Sequence, residues 1–313
     1  SSKSPSNDKK GSCTGKKAGK THPVSPRERA KHPEFQNKED IIRQLFKLTD
    51  PARTSLKIAN LAESFGLMLV KLEVRELKQE ALIQDLKKSN KNLQETIHRL
   101  MLTQDVTINS MGNLAEYRDP ETGGHIKRTR GYVECMATEI MKRGLYPDNP
   151  LTEQDIEMLT KSAPLHDIGK VGVPDSVLIK PGRLTDEEFE EMKKHTVYGR
   201  DIIASSEQTL GQDSFLAIAR EIASSHHEKW DGTGYPDGKK GNEIPLFRRI
   251  MAIADVYDAL ISKRVYKDAF SHEKAVSIIC EGRGTQFDPT LVDLFVSIDD
   301  QFRKIALKYA DLD

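Results

Sequence analysis

From about residue 105 to 313, the chain spaces its apolar residues three and four positions apart, the period of an α-helix rather than a strand. The pattern is clear in Phe215–Ile222 and in Leu246–Ile261. Thr185-Asp-Glu-Glu188 predicts a capping box at the start of a further helix. Since the sequence lacks alternating apolar and polar runs joined by hairpin turns, we expect an all-α fold for this part of the chain.

Residues 1–38 differ from the rest because they are rich in Ser, Lys, Gly and Pro and carry ten Lys and Arg residues against three Asp and Glu. Such a segment cannot bury enough apolar surface to offset its chain entropy, so we predict a disordered basic N-terminus. A solvated tail is favoured over an arm that touches anionic surfaces. Across the whole chain, 48 basic and 48 acidic residues cancel, which argues against a nucleic-acid duplex as a partner.

Residues 39–104 predict helices that are interrupted near Asp50-Pro51. A heptad pattern follows, made of Ile83, Leu86, Asn90, Leu93, Ile97 and Leu100. An Asn at a buried a position favours a parallel two-stranded coiled coil. We interpret 39–104 as a regulatory or dimerisation segment and predict a homodimer through a coiled coil at 83–104. The alternative is an amphipathic helix packed on the domain that follows, 105–313.

Cysteine usage favours a reducing compartment. Cys13, Cys135 and Cys280 are widely spaced and form no CxxC pair, which argues against a disulfide framework and a thiolate zinc site. The sequence also has no apolar run long enough to cross a bilayer. We therefore expect a cytoplasmic protein with no membrane span in this chain.

Five histidines of the helical part lie beside acidic residues or other histidines: His125, His166, His195, His226 and His227. In a helix, the neighbours His166 and Asp167 would point about 100° apart and could meet different edges of a metal cluster. A hydrogen-bonded histidine at a helix end is the simpler interpretation of that pair alone. The adjacent imidazoles of His226 and His227 would repel each other if both were protonated, and a shared metal site would keep both neutral.

Carboxylates add to this set of histidines. Glu121 stands four residues before His125, and Asp255 lies inside an apolar helix, where an acid is costly unless it is paired with a cation. A salt bridge from Asp255 to Arg249 or Arg264 is the alternative. Five imidazoles and three carboxylates without a thiolate suit iron or manganese better than structural zinc. They exceed the needs of one ion, so we expect two or three divalent metal ions per chain, an arrangement used to attack phosphate esters.

The region from about Met111 to Phe302, nearly two thirds of the chain, resembles an HD-GYP domain, a subgroup of the HD-superfamily metal-dependent phosphohydrolases. The matching motifs are Arg118-Asp-Pro-Glu-Thr-Gly-Gly-His125, His166-Asp-Ile-Gly-Lys170, Lys180-Pro-Gly-Arg-Leu-Thr-Asp-Glu-Glu188 with His195, His226-His-Glu-Lys-Trp-Asp-Gly-Thr-Gly-Tyr-Pro236, Ile253-Ala-Asp-Val-Tyr-Asp-Ala-Leu260 and Arg264-Val-Tyr-Lys267. The resemblance implies an HD-superfamily helical bundle that hydrolyses cyclic di-GMP to linear pGpG, with GMP as a further product left open.

The resemblance also implies roles for individual residues. A dinuclear centre would be held by His166, Asp167, His195, His226, His227 and Asp255. Glu121 and His125 match the ligands of a third ion. Asp119, Lys170, Arg264 and Lys267 match residues around the substrate phosphates, and Asp119, Asp167 and Lys170 are the predicted catalytic residues. Tyr235, flanked by Gly234 and Pro236, would lie next to a guanine.

Elementary chemistry supports several of these roles. The two oxygens of Asp167 can bridge two ions, and Lys170 could neutralise phosphate charge or protonate the leaving 3′ oxygen. Arg264 and Lys267 could clamp a phosphate, or they form a solvated basic surface. Tyr235 could stack on a base, or it is a packing residue. Two alternatives are hydrolysis of another cyclic dinucleotide, such as cyclic GMP-AMP, and a signalling adaptor that binds the nucleotide without cutting it.

Overall fold

The structure, a computed structural model, describes residues 33–50, 52, 54–117, 124–210, 214–262 and 269–309. Within these ranges the regular elements are helical. The α-helices are α1 (Pro33–Leu48), α2 (Leu56–Glu116), α3 (His125–Arg143), α4 (Glu153–Ser162), α5 (Asp175–Leu178), α6 (Asp186–Lys193), α7 (His195–Leu210), α8 (Phe215–Ser225), α9 (Leu246–Ile261), α10 (His272–Glu281) and α11 (Pro289–Lys308). Short 3₁₀ helices span Ala163–Leu165, Ile168–Gly172 and Gly241–Glu243. The predicted all-α fold is confirmed.

The chain divides into two compact units, Ser1–Glu95 and Thr96–Asp313. In the first unit, α1 begins at Pro33, inside the tail that we predicted to extend to residue 38. Proline favours the first position of a helix because its fixed φ suits the helix and its missing N–H has no partner to lose there. The rest of the predicted tail, residues 1–32, lies outside the described residues. The predicted interruption near Asp50-Pro51 is confirmed, since α1 ends at Leu48 and α2 begins at Leu56.

The heptad residues of 83–104 lie on α2, which continues without a break to Glu116, past the boundary that we predicted at 104/105. Their apolar side chains are exposed, from 43% for Ile97 to 70% for Leu86. Exposed apolar side chains at heptad spacing are what a coiled-coil partner would cover. None of the helices in the described ranges combines the length and the apolar character that a bilayer span requires.

In the second unit, aromatic side chains form the centre of the core. The ring of Tyr132 on α3 stacks on Phe302 of α11 with 4.6 Å between centroids, and it meets Tyr257 of α9 edge-on at 5.2 Å. Each of these three residues is fully buried. Because α3 and α9 are fixed against each other here, the first turn of α3 and the last turns of α9 occupy set positions.

A second buried cluster packs α7 and α8 against the 3₁₀ helix Ile168–Gly172. The approach is so close that a Cβ atom at Gly169 would collide with the carbonyl oxygen of His195 and the backbone nitrogen of Gly199. Only glycine fits at such a contact. The glycine of the His-Asp-Ile-Gly-Lys motif therefore allows Asp167 to lie beside the start of α7.

Candidate metal centre

One cluster of candidate metal ligands consists of Asp167, His195, His226 and His227, which each offer one atom within 4.8 Å of the others. Asp167 lies in the turn between two 3₁₀ helices, His195 begins α7, and His226 caps the C-terminus of α8. Nε2 of His195 and Nε2 of His226 are each 3.4 Å from Oδ1 of Asp167. Three separate segments thus converge on one carboxylate oxygen.

A second cluster consists of Glu116, His125 and His166. Nε2 of His125 lies 3.4 Å from Nε2 of His166 and 3.5 Å from Oε1 of Glu116. Oδ1 of Asp255 is 3.9 Å from His125 and 3.8 Å from His166. Because His166 and Asp167 are consecutive, the two clusters are adjacent.

The hydrogen bonds behind four of these rings determine which nitrogen faces the clusters. The Nδ1 atoms are paired as follows: His166 with Ala163 O at 3.0 Å, His195 with Met192 O at 2.8 Å, His226 with Ile222 O at 3.0 Å, and His125 with Asp258 Oδ2 at 2.8 Å. A carbonyl or carboxylate oxygen only accepts, so each Nδ1 must be the donor. In the neutral rings, Nε2 therefore presents a lone pair toward the clusters, as a metal ligand must.

Buried polar atoms without hydrogen bonds also indicate that the first cluster could bind a metal ion. Asp167 Oδ1, His195 Nε2 and His226 Nε2 are buried and make no hydrogen bond within the described part of the chain. Buried polar atoms without partners are costly, and here all three face one another as electron-pair donors. A divalent cation would satisfy all of them at once. The residues that the structure brings together therefore fit a metal site.

Burial keeps two of the imidazoles neutral. It lowers the pKa of His195 to about 4, and together with the neighbouring His226 it holds the pKa of His227 well below its usual value. Burial also opposes the charged form of Asp167, but the charges of Lys170 and His166 outweigh this and lower the pKa of the carboxyl group well below its usual value. At neutral pH the first cluster thus presents a carboxylate together with the uncharged rings of His195 and His227, the protonation states that a metal requires.

The structure brings together seven of the eight predicted metal ligands: His125, His166, Asp167, His195, His226, His227 and Asp255. The eighth, Glu121, and the predicted substrate residues Asp119, Arg264 and Lys267 lie outside the described residues. A salt bridge from Asp255 to Arg249 is not formed, since Arg249 pairs with Asp288 at 2.6 Å.

The helical geometry assumed for His166 and Asp167 was wrong, because both lie in a turn between 3₁₀ helices. Because Gly169 has no side chain, the backbone of this turn can approach the start of α7 closely. The predicted capping box at Thr185 is confirmed, with the Thr185 hydroxyl accepting from the Glu188 N–H and the Glu188 carboxylate accepting from the Thr185 N–H.

Residues 109–291, more than half of the chain, match the sequence profile of the HD domain. The chain belongs to the HD-domain family. HD domains bind divalent metal ions, in agreement with the two clusters.

Among curated proteins, this HD-domain chain is 55% identical over 220 residues to the "Cyclic di-GMP phosphodiesterase" of Vibrio cholerae, covering 70% of this chain and 44% of the relative. It is 49% identical over 209 residues to a "Probable cyclic di-GMP phosphodiesterase" of the same organism, covering 66% and 47%. A "3'3'-cGAMP-specific phosphodiesterase 2", also from Vibrio cholerae, is 41% identical over 209 residues, covering 67% and 37%. The chain thus spans less than half the length of these relatives.

The Gly-Tyr-Pro loop of the HD domain lies directly against the first cluster. The ring of Tyr235 packs on His227 with 4.8 Å between centroids and an angle of 32° between planes. A Cβ atom at Gly234 would lie 2.6 Å from the His227 carbonyl oxygen, so this position also requires glycine. The buried carboxylate of Glu228 fixes the far side of the loop by accepting hydrogen bonds from the N–H groups of Asp237 and Lys239. Tyr235 thus supports a candidate ligand and is only half-buried.

Lys170, a predicted catalytic residue, is buried, and its ammonium group donates to Oδ2 of Asp167 at 2.8 Å. The opposite oxygen of the same carboxylate faces His195 and His226. Lys170 therefore balances the charge of Asp167 at Oδ2, the oxygen that also lies 3.4 Å from Nε2 of His166, in addition to any role at a substrate.

Sequence reasoning missed Glu116, Asp258 and Arg128. Glu116 ends α2 outside every motif, so nothing distinguishes it from other glutamates of that long helix. Asp258 and Arg128 carried a weak signal, since each stands three residues after a predicted ligand, Asp255 and His125 respectively. On a helix, that spacing places both members of a pair on one side.

Proposed function

We propose that this HD domain hydrolyses cyclic di-GMP to linear pGpG. The observation that supports this most strongly is the pair of adjacent clusters joined through His166 and Asp167, because multi-ion sites suit phosphodiester cleavage. The names of the two relatives at 55% and 49% identity point to the same substrate. Hydrolysis adds the OH of water to phosphorus, breaks the bond to the ribose 3′ oxygen and transfers the other proton to that oxygen.

The chain's own groups would divide this work. Divalent ions bound at the clusters would supply Lewis-acid polarisation of a phosphoryl group and lower the pKa of water. We propose two or three ions per chain, iron or manganese, on His125, His166, Asp167, His195, His226, His227 and Asp255, with Glu121 as a further ligand. Asp167 would serve as a ligand in both clusters, and the buried charge of Lys170 would keep this carboxylate deprotonated.

Substrate contacts are proposed on the same basis. The ammonium group of Lys170 lies 2.8 Å from Oδ2 of Asp167, and it could neutralise phosphate charge or protonate the leaving oxygen of a substrate bound at the clusters. Asp119, Arg264 and Lys267 would contact the phosphates. Tyr235 would lie next to a guanine, with its ring packed on His227 and with Nζ of Lys193 5.5 Å from its centroid. Gly234 and Pro236 would shape that loop.

We also propose the organisation of the chain: a basic tail at 1–38, a regulatory or dimerisation segment at 39–104 and a catalytic domain at 105–313. The exposed heptad residues on α2 support a parallel homodimer through 83–104. Cys135 and Cys280 are free thiols, which fits a cytoplasmic location.

Turnover and metal content measured together test the enzyme proposal. Protein purified without oxygen should contain at least two iron or manganese ions per chain and convert cyclic di-GMP to pGpG, as followed by chromatography and mass spectrometry. Asp167→Ala should keep the helical circular dichroism spectrum and retain less than a tenth of the turnover. Asp201→Ala, which removes an exposed aspartate of α7, is the control and should behave as wild type. Full activity with one tightly held zinc ion would contradict the proposal.

A second candidate substrate is 3′3′-cyclic GMP-AMP, favoured by the name of the relative at 41% identity. A substrate panel of cyclic di-GMP, 3′3′-cyclic GMP-AMP and cyclic di-AMP under identical conditions distinguishes the two. If the protein binds nucleotide but cleaves none of the three, it acts as an adaptor.

A further inference from the structure

The Nδ1 atom of His125 is bound differently from those of the other three histidines. His166, His195 and His226 donate to backbone carbonyls three or four residues earlier, whereas His125 donates to the carboxylate of Asp258, 133 residues later in the chain. A carboxylate is a stronger acceptor than a carbonyl because it carries a full charge. In metal sites, such a partner fixes the orientation of the ring and makes the opposite nitrogen a better donor.

Arg128 fixes Asp258 in place. Its Nε donates to Oδ1 at 2.8 Å and its Nη2 donates to Oδ2 at 3.1 Å, a two-point contact that prevents the carboxylate from rotating. The same Nη2 also donates to the hydroxyl of Ser262 at 3.0 Å. Asp258 is 1% exposed and Arg128 is 2% exposed, so water cannot replace either partner.

The arrangement joins two helices at the second cluster. His125 and Arg128 share one side of α3, and Asp255 and Asp258 share one side of α9. On each helix, the first residue of the pair faces the cluster and the residue three positions later supports it. An ion pair that served only to hold α3 to α9 would need Arg128 and Asp258 alone. Here Oδ2 is shared between Arg128 and His125.

We propose that Asp258, locked by Arg128, is a positioning residue that holds His125 with Nδ1 protonated and Nε2 directed at Glu116 and His166. The affinity of this cluster for a divalent ion then depends on a carboxylate that does not touch the ion. The inference rests on the proposed function only in that the cluster of Glu116, His125 and His166 binds such an ion.

Asp258→Asn tests this role at nearly constant side-chain volume. The asparagine amide has a single uncharged acceptor oxygen, so it cannot replace the two carboxylate oxygens that accept from Arg128 and His125. We expect the affinity for one Mn²⁺ ion per chain, measured by titration calorimetry, to fall 10- to 100-fold, while the remaining ions bind as in wild type. Nitrogen-15 NMR of the metal-free protein gives a readout independent of turnover. The His125 ring should change from a single Nδ1–H tautomer to a mixture of tautomers.

Asp299→Asn is the matched control, because Asp299 lies 3.5 Å from Nε2 of His272, in an aspartate–histidine contact outside both clusters. It should leave Mn²⁺ binding and the His125 signals unchanged. If Asp258→Asn does not fold, Arg128→Lys serves instead, since it keeps the charge but loses the two-point contact. We expect Arg128→Lys to show the same loss of affinity for one Mn²⁺ ion and the same mixture of His125 tautomers.

An unchanged His125 tautomer with unchanged Mn²⁺ affinity in the variant would overturn the role of Asp258, whichever nucleotide the protein cleaves. An equal loss of affinity in Asp299→Asn would overturn it too, because the effect would then not be specific to this contact. Wild-type protein that binds Mn²⁺ without cleaving cyclic di-GMP would overturn the proposed substrate alone, and the measurements on Asp258 would still stand.

Discussion

Nε2 of His125 lies 3.4 Å from Nε2 of His166, and each ring uses its Nδ1 as a donor on the opposite side. Two neutral rings in this arrangement direct lone pairs at each other, which is repulsive unless a cation lies between them or one ring is protonated. In the metal-free chain, burial opposes protonation of His166, but Asp167 outweighs it and raises the pKa of the ring. A proton can thus occupy the gap when a metal ion does not.

Substitution tests whether both Glu116 and Glu121 complete this second cluster. Oε1 of Glu116 is 3.5 Å from Nε2 of His125, while the resemblance to HD-GYP domains favours Glu121. We expect Glu116→Ala and Glu121→Ala each to lower the metal content by one ion per chain and to reduce turnover without abolishing it, because the cluster around Asp167 remains. Elemental analysis and kinetics measure both effects.

Glu139→Ala is the control for that comparison, since Glu139 pairs with Lys142 on the surface of α3. It should leave metal content and turnover unchanged. A Glu116 or Glu121 variant with wild-type metal count, metal affinity and turnover would remove that residue from the site.

The tight contact at Gly169 predicts a large effect from one methyl group. Gly169→Ala places a Cβ atom against the His195 carbonyl oxygen and the Gly199 nitrogen, so the turn that carries Asp167 must move away from α7. We expect a loss of about 1–3 kcal/mol in the free energy of unfolding and weaker metal binding. Gly66→Ala on α2 is the control. Its Cβ would meet nothing within 4 Å, and it should stabilise the helix by roughly 0.5–1 kcal/mol. Urea denaturation measures the free energy of unfolding of both variants. Equal changes in Gly169→Ala and Gly66→Ala would contradict the prediction.

The buried, neutral His195 predicts a pH dependence for the metal-free protein. Its folded pKa of about 4 lies below the usual value of 6.5, so the unfolded chain binds more protons between these values. Stability should therefore fall as the pH drops from 6.5 toward 4, by about 3 kcal/mol for this residue at 1.36 kcal/mol per pH unit. The raised pKa of His166 acts in the opposite direction. Thermal unfolding at a series of pH values should show a shallower slope for His195→Gln than for wild type, and identical slopes would contradict the assignment.

The exposed heptad residues of α2 predict an oligomer whose state depends on Asn90. Replacing Asn90 with Leu should raise the oligomeric state above a dimer, because a buried Asn at an a position excludes other registers and larger bundles. The change in oligomeric state should exceed any loss of stability. Sedimentation equilibrium measures it, with Lys87→Ala, an exposed helical position on α2, as the control. A monomeric wild-type protein would rule out the coiled coil.

The sequence by itself determined the helical class and most of the candidate ligands. Apolar spacing in segments such as Leu246–Ile261 is a local property, and the helix formed as predicted. The capping box at Thr185 also depends on residues only three positions apart. Histidines beside acidic residues, such as His166 and Asp167, can be recognised as candidate ligands from the sequence alone, because the two residues are consecutive.

Only the tertiary structure decided which atoms meet. Glu116 and Asp258 were not predicted, since each reaches His125 through the packing of separate helices, across 9 and 133 residues of sequence. The turn at His166 and Asp167 depends on the contact of Gly169 with the start of α7, which no local pattern reveals. The sequence specifies which groups can bind a metal. The distances between these groups, and the choice of nitrogen in His125, come from helices that pack side by side, because hydrophobic burial holds together segments that are far apart in the sequence.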